Sequence, residues 1–190
     1  MQIIVDPVTP LEPLAYDRVA RGLHWLIAGL AVVIVSLGWA IPGTARETGS
    51  RDLLLLGHRS LGLLLLALML FRGFWRWTHP PPPLPPSLMR IEALAARATH
   101  GLFYLFFVIM PLSGYVNAAA AGHSISLFGL AEIPSVLPED NRVSQAAIAV
   151  HLTCQFLIYA FVALHVVAAL THWIVRRDGV FERMLPLRDR

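Results

Sequence analysis

A chain of 190 residues in which 56% are hydrophobic and only 14% charged is too apolar for a soluble globule of that size. All fifteen basic residues are arginine, and they flank apolar runs instead of forming one stripe, which argues against a nucleic-acid partner and for a lipid bilayer as the solvent. The single cysteine, Cys154, excludes an intrachain disulfide and a cysteine-ligated iron–sulfur cluster built by this chain alone, and reads as inert packing.

Residues 1 to 17, with Pro7, Pro10 and Pro13, lack helical periodicity and are expected to form a loose cytoplasmic arm. The remainder, 18 to 190, is expected to be one all-α domain, an integral membrane four-helix bundle. A spanning helix needs about 20 mostly apolar residues. Four stretches reach that length, approximately 22–41, 53–74, 101–121 and 146–175. A signal-peptide reading of the first is rejected, because its apolar run exceeds a signal core of roughly 7 to 15 residues.

Span 1 should stop at Ile41-Pro42-Gly43, a helix breaker followed by a flexible residue. Span 2 runs into Arg72, Trp75, Arg76 and Trp77, a belt of amphipathic rings and snorkelling arginines suited to headgroup depth. The proline run that follows His79 reads as a stiff polyproline spacer, and residues 87–99 as a short helix that lies on the surface or extends span 3. Pro111 and Gly114 are expected to kink span 3. The 122–145 connection carries Glu132, Glu139 and Asp140 together with short apolar pieces that could fold over the bundle mouth.

Eleven of the arginines flank the termini and the 75–99 loop, and four (Arg46, Arg51, Arg59 and Arg142) belong to the opposite end. By the positive-inside rule both termini are expected to be cytoplasmic.

Ionisable groups within a bilayer are costly and default to functional candidates. His24 lies at the inner start of span 1 and His58 near the outer start of span 2, while span 4 carries both His151 and His165. The fourteen residues between that last pair place them about 40° apart around the helix and about 21 Å apart along it. The chain therefore offers two depth-matched pairs, His24 with His165 and His58 with His151. Zinc usually takes four protein ligands, whereas haem iron needs only two axial imidazoles, so a lone cross-bundle pair suits haem. Without a Cys-x-x-Cys-His motif the haems would be non-covalent, hence b-type. Gly22, Gly57, Gly62 and Ala168 leave room for a flat macrocycle, and Arg21 and Arg59 could neutralise its propionates.

The segments Arg21-Gly22-Leu23-His24-Trp25, Gly57-His58-Arg59-Ser60-Leu61-Gly62, Leu112-Ser113-Gly114 and Leu164-His165-Val166-Val167-Ala168-Ala169-Leu170-Thr171-His172, with Arg72 and Arg76 before the prolines, resemble the bacterial cytochrome b561 family. The likeness spans nearly the whole chain from residue 18. It implies two haems, ligated by His24 with His165 and by His58 with His151, and electron exchange with ubiquinone. One branch of that family oxidises superoxide at the periplasmic side, while related cytochromes serve as membrane subunits of larger dehydrogenases or hydrogenases. A haem-free metal transporter is a third reading, disfavoured because the spans lack acidic ligands.

On the superoxide reading, Arg51 and Arg59, with His123, are candidates to attract the anion, opposed by Glu47, Asp52, Glu132, Glu139 and Asp140. At the inner end His172, Arg72, Arg76, Trp77 and His100 are candidates for a quinone site. His79 and His123 read as ordinary loop residues, and Gln155 and Tyr159 as helix-bridging ones.

Overall fold

In a computed structural model, residues 15–46, 48–85 and 88–185 are described, so nearly all of the N-terminal arm, together with Glu47, lies outside them. Four helices carry the chain: α1 (Arg18–Gly43), α2 (Gly49–Thr78), α3 (Arg90–Ala120) and α4 (Asn141–Leu170), the last continued by a π-helical turn over Thr171–Arg176. All four are long and apolar enough to cross a membrane. Their exposed surface is rich in large apolar side chains, among them Val32, Phe74, Leu105 and Phe156, as hydrocarbon contact requires.

Each helix start is set by local chemistry. Asp17 caps α1, its Oδ1 accepting Ala20 N at 2.8 Å and Trp75 Nε1 of α2 at 3.1 Å. Burial pushes the Asp17 carboxyl up, but these hydrogen bonds outweigh it and hold the group below the usual carboxylate range. Asp140 caps α4 through Arg142 N and Val143 N. Pro42 is accommodated in the last turn of α1, which ends at Gly43.

Two expectations from sequence are refined. The 87–99 stretch is no separate surface helix: from Arg90 it is continuous with the third span, and the helix runs unbroken through Pro111 to Ala120. The fourth span starts five residues earlier than expected, at Asn141, and ends in the π turn. Helix-favouring, uncharged-to-charged boundaries such as 87–100 carry no stop signal, so depth alone cannot separate an interfacial turn from a span.

The α3–α4 connection, at the end of the bundle that the arginine distribution predicts to be outer, forms a hairpin of β1 (Ile125–Leu127) and β2 (Ala131–Ile133), with Ile125 opposite Ile133. It covers the outer end of α2: Ile125 is buried, and the fully buried Ser60 donates to Ser126 O at 3.2 Å and accepts from Phe128 N at 2.8 Å. Phe128 and Gly129 turn the hairpin with positive φ.

The closely packed helix pairs are α1–α2, α2–α3 and α3–α4. Leu23, Ile27, Ile34, Leu65 and Met69 form the α1–α2 core, and Ala118, Ala119 and Ala120 let backbones approach at the outer end of α3. Across from these, α4 meets α1 and α2 over a wider gap, spanned by the Trp39 Nε1 to Tyr159 Oη hydrogen bond of 2.9 Å. Tyr159 thus bridges helices as expected; Gln155 makes no hydrogen bond to a described residue.

At the end bearing residues 16 and 183 the two ends of the described chain meet, with Tyr16 N donating to Arg183 O at 3.2 Å. A 3₁₀ turn over Glu182–Met184 docks there: Trp25 Nε1 donates to Met184 O at 2.7 Å and Arg183 Nη2 to Pro83 O at 2.8 Å.

Removing the Ser60 hydroxyl takes the hydrogen-bond partner from the part-buried Ser126 carbonyl and Phe128 amide of the hairpin. Ser60→Ala should cost about 1–3 kcal/mol, seen as faster proteolysis within 121–135 at unchanged cleavage of the α2–α3 loop.

Candidate haem-binding site

The gap between α4 and the α1–α2 pair is where four histidines converge. The ring centres of His24 (α1) and His165 (α4) lie 6.2 Å apart with their planes at 73°. Those of His58 (α2) and His151 (α4) also lie 6.2 Å apart, at 67°. Two imidazoles on opposite sides of one metal ion would have ring centres separated by two bonds of about 2 Å and two ring radii of roughly 1.1 Å for a five-membered ring of 1.33 Å bonds. That sum is the observed spacing, and it occurs at both depths. Among the described residues no three His, Cys, Asp or Glu side chains converge to hold a metal ion without a macrocycle. The residues present therefore fit two bis-histidine haems.

The outer pair is oriented by backbone. His58 Nδ1 lies 3.1 Å from Ile34 O, and His151 Nδ1 lies 2.8 Å from Met110 O. A carbonyl can only accept, so in both rings Nδ1 carries the proton and Nε2 keeps a free lone pair toward the gap. Ser113 Oγ, 3.4 Å from His151 Nδ1, lies beside the second contact.

Each of these carbonyls sits four residues before a glycine, Gly38 and Gly114. A Cβ on Gly38 would come within 3.1 Å of His58 Cε1, and one on Gly114 within 3.2 Å of His151 Cε1. Glycine is what lets the ring lie against the neighbouring helix closely enough to reach its carbonyl. Sequence reasoning missed Gly38 and assigned Gly114 only a kink; the available signal was a glycine on a facing helix at the depth of a histidine. By contrast, Gly22 and Gly62 face open space, and a Cβ on Gly57 would merely touch Leu37.

The inner pair is held by rings. His24 meets Trp25 edge-on at 5.3 Å, and His165 meets Phe103 at 5.5 Å and His100 at 5.9 Å. His100 is therefore a second neighbour of His165, although the repeat of the 6.2 Å spacing singles out His24 as its counterpart.

The other expected site residues fall at the two ends of the bundle. Arg51 Nη1 donates to Ile41 O and Thr44 O, at 2.6 and 3.2 Å, closing the end of α1. Arg59 is half-buried beside His58 and makes no hydrogen bond or ion pair to a described residue. Arg21 is buried, its Nη1 donating to Leu185 O at 3.0 Å.

At the inner end, Arg72 Nη1 donates to Ala20 O at 3.0 Å, and Trp77 is 79% exposed and faces away from the bundle. Arg76 and His100 share one cavity. His172, in the π turn, places Nδ1 2.7 Å from Asp178 Oδ2, and Arg176 joins Asp178 to Glu92. Burial pushes the Asp178 carboxyl up, but the His172 hydrogen bond and the Arg176 charge hold it below its ordinary value. His79 stacks flat on Trp75 at 3.9 Å, and His123 lies in the exposed outer loop.

Residues 15–187 match the family model for prokaryotic cytochrome b561. The chain is 30% identical over 173 residues to the protein named cytochrome b561 homolog 2 of Escherichia coli (strain K12), covering 91% of this chain and 92% of that one. It is 29% identical over 171 residues to one named probable superoxide oxidase CybB of Yersinia pestis, with 90% and 96% covered, and 28% identical over 170 residues to cytochrome b561 homolog 1 of Escherichia coli (strain K12), with 87% and 94% covered.

Gly38→Ala and Gly114→Ala should each push the facing imidazole off its carbonyl and reduce haem content toward one per chain. Gly29→Ala, where a Cβ meets nothing within 4 Å, should leave it unchanged. Haem quantitation by absorbance against protein mass reads the difference.

Proposed function

The chain belongs to the prokaryotic cytochrome b561 family of membrane electron-transfer proteins that bind b-type haem, and on that premise we propose that it uses two such haems to oxidise superoxide at the outer face and reduce ubiquinone at the inner one. The observation that carries the two-haem reading is the pair of histidine couples, both at 6.2 Å, that face each other across the same gap at two depths. The superoxide reading draws on the relative named a probable superoxide oxidase. The arginine distribution supports an orientation with both termini in the cytoplasm of a bacterial inner membrane.

Bound haem would supply a one-electron couple at each depth. The protein does the rest. His24 and His165 would hold the inner group and His58 and His151 the outer one. Ile34 O and Met110 O hold Nδ1 of the outer imidazoles and leave Nε2 free, so these rings would ligate the outer haem, and a protonated Nδ1 hydrogen-bonded to a carbonyl makes Nε2 a stronger donor.

At the outer end Arg59, half-buried and with no carboxylate partner among the described residues, is the better placed of the two arginines to draw in an anion, because Arg51 is already engaged by the α1 carbonyls. Two superoxide anions each give up one electron and leave as dioxygen. At the inner end a quinone takes those two electrons and two protons. His172, in a π turn of the kind that recurs at functional sites, is the proton donor within reach of water. Asp178 holds its Nδ1–H and so presents Nε2.

Haem-loaded protein should be reduced by a superoxide-generating system faster than a protein-free control and reoxidised by ubiquinone; no difference from the control sinks the superoxide assignment. His58→Ala or His151→Ala should remove one haem and spare the other. His24→Ala should do the same at the inner tier, whereas His100→Ala should retain both, which reads the inner pairing directly from reduced-minus-oxidised spectra. Asp178→Asn should slow quinone reduction by about tenfold while superoxide still reduces the haems at the original rate.

A further inference from the structure

A cavity of about 330 Å³ opens at the inner end between α2 and α3, lined by Gly73 and Arg76 of α2 and by Arg97, His100, Gly101 and Tyr104 of α3. Among the described residues no acidic side chain lines it. Neither Arg76 nor Arg97 makes a hydrogen bond or ion pair to a described residue, while the nearby acids are engaged elsewhere: Glu92 by Arg176, and Asp17 by Ala20 N and Trp75. Arg76 lies in the last turn of α2 and Arg97 in the second turn of α3, both at the water-facing ends of spanning helices. Arg97 and Gly101 are exposed on the flank of the bundle, so the cavity is open sideways toward the surrounding lipid.

We propose that this cavity binds the headgroup phosphate of an anionic phospholipid. Two guanidinium groups with no carboxylate beside them among the described residues form a charge that a phosphate answers with bidentate hydrogen bonds. Basic pockets between spanning helices at a charged leaflet surface are the recurring setting for such headgroups. The two glycines bring the helix backbones close to the entrance without side chains in the way, and Gly73 leaves Tyr104 as the apolar floor, its Cε1 3.9 Å from where a Cβ would stand. Tyr104 and His100 supply an O–H and an N–H for the remaining phosphate oxygens or the glycerol hydroxyls.

A quinone head would be a poorer tenant. Its carbonyls are neutral acceptors and leave two cations uncompensated at the edge of hydrocarbon, where unpaired charge is costly. The proposal does not depend on the superoxide or quinone assignments, since it concerns a site that binds lipid in either redox state.

The test is native mass spectrometry of the haem-loaded protein in detergent after titration with phosphatidylglycerol, phosphatidylcholine, inorganic phosphate or ubiquinone. The wild type should retain one phosphatidylglycerol in preference to phosphatidylcholine. Arg76→Gln with Arg97→Gln should weaken that binding by about tenfold per arginine, and Arg76→Lys with Arg97→Lys should recover part of it. An unchanged Soret band in each variant shows that the fold and haems survive. Equal retention by the wild type and the double glutamine variant overturns the proposal. So does displacement of the lipid by ubiquinone, competition by inorganic phosphate at equal concentration, or haem loss from the double variant at unchanged lipid retention, which would assign the arginines to the haem.

Discussion

The structure depends on a polar group that hydrocarbon cannot solvate, the free Nε2 of an imidazole facing the bundle interior. In water such a nitrogen is satisfied by solvent; at membrane depth it must find a donor or a metal, or cost several kcal/mol. His58 and His151 have already committed their other nitrogen to Ile34 O and Met110 O. Each ring is thereby locked in the tautomer that leaves Nε2 without a protein partner, and the chain has done this on two helices facing each other. Such an arrangement is stable only when something occupies the space between, and the family assignment says what that is.

The helix packing follows from that gap. If α4 closed onto α1 and α2 as it does onto α3, the histidine pairs would be crushed together and no macrocycle would fit. Instead α4 is held off by pairing with α3, where Asn117 Nδ2 donates to Ser144 O and Oγ at 3.0 Å and Asp140 N to Ala120 O at 2.9 Å, and by the Trp39–Tyr159 strut between the two tiers. The alanines of α3 draw the α3–α4 junction tight at the outer end while leaving the opposite side wide. Small residues thus serve opposite purposes in one bundle: Ala118–Ala120 bring backbones together, while Gly38 and Gly114 admit a side chain.

Much of this was legible in the sequence. Four apolar runs gave four spans, and the spacing from His151 to His165 put two ligands on one face of α4 at two depths, because helical rise and twist are fixed by the backbone alone. What could not be read were features that depend on how helices rotate against each other. Gly38 looks like any membrane glycine until α2 is turned to bring His58 against it. Arg51 and Arg21 look like free cations until the carbonyls of Ile41, at the end of α1, and Leu185 arrive beside them. Asp178 follows the span in a segment with no periodicity, and only the π turn swings it back onto His172. Of the five residues expected around a quinone, Arg72, Arg76 and His100 lie close together, while Trp77 is turned outward and His172 sits in the π turn, because depth says nothing of azimuth.

The two tiers are held in different ways, and the difference bears on what each can do. In the outer tier both imidazoles hydrogen-bond to main chain, and the hairpin pinned by Ser60 lies over the adjacent end of α2, so ring orientation there is tied to the helix backbone. In the inner tier the rings rest against Trp25, Phe103 and His100, contacts that are individually weak and tolerant of rotation. Trp25 in turn reaches Met184 O in the docked 3₁₀ turn. A ligand whose Nδ1–H is bonded to a carbonyl is the stronger electron donor to a metal and stabilises its oxidised state. The same cofactor placed in both tiers would therefore meet two different environments, set by helix packing alone.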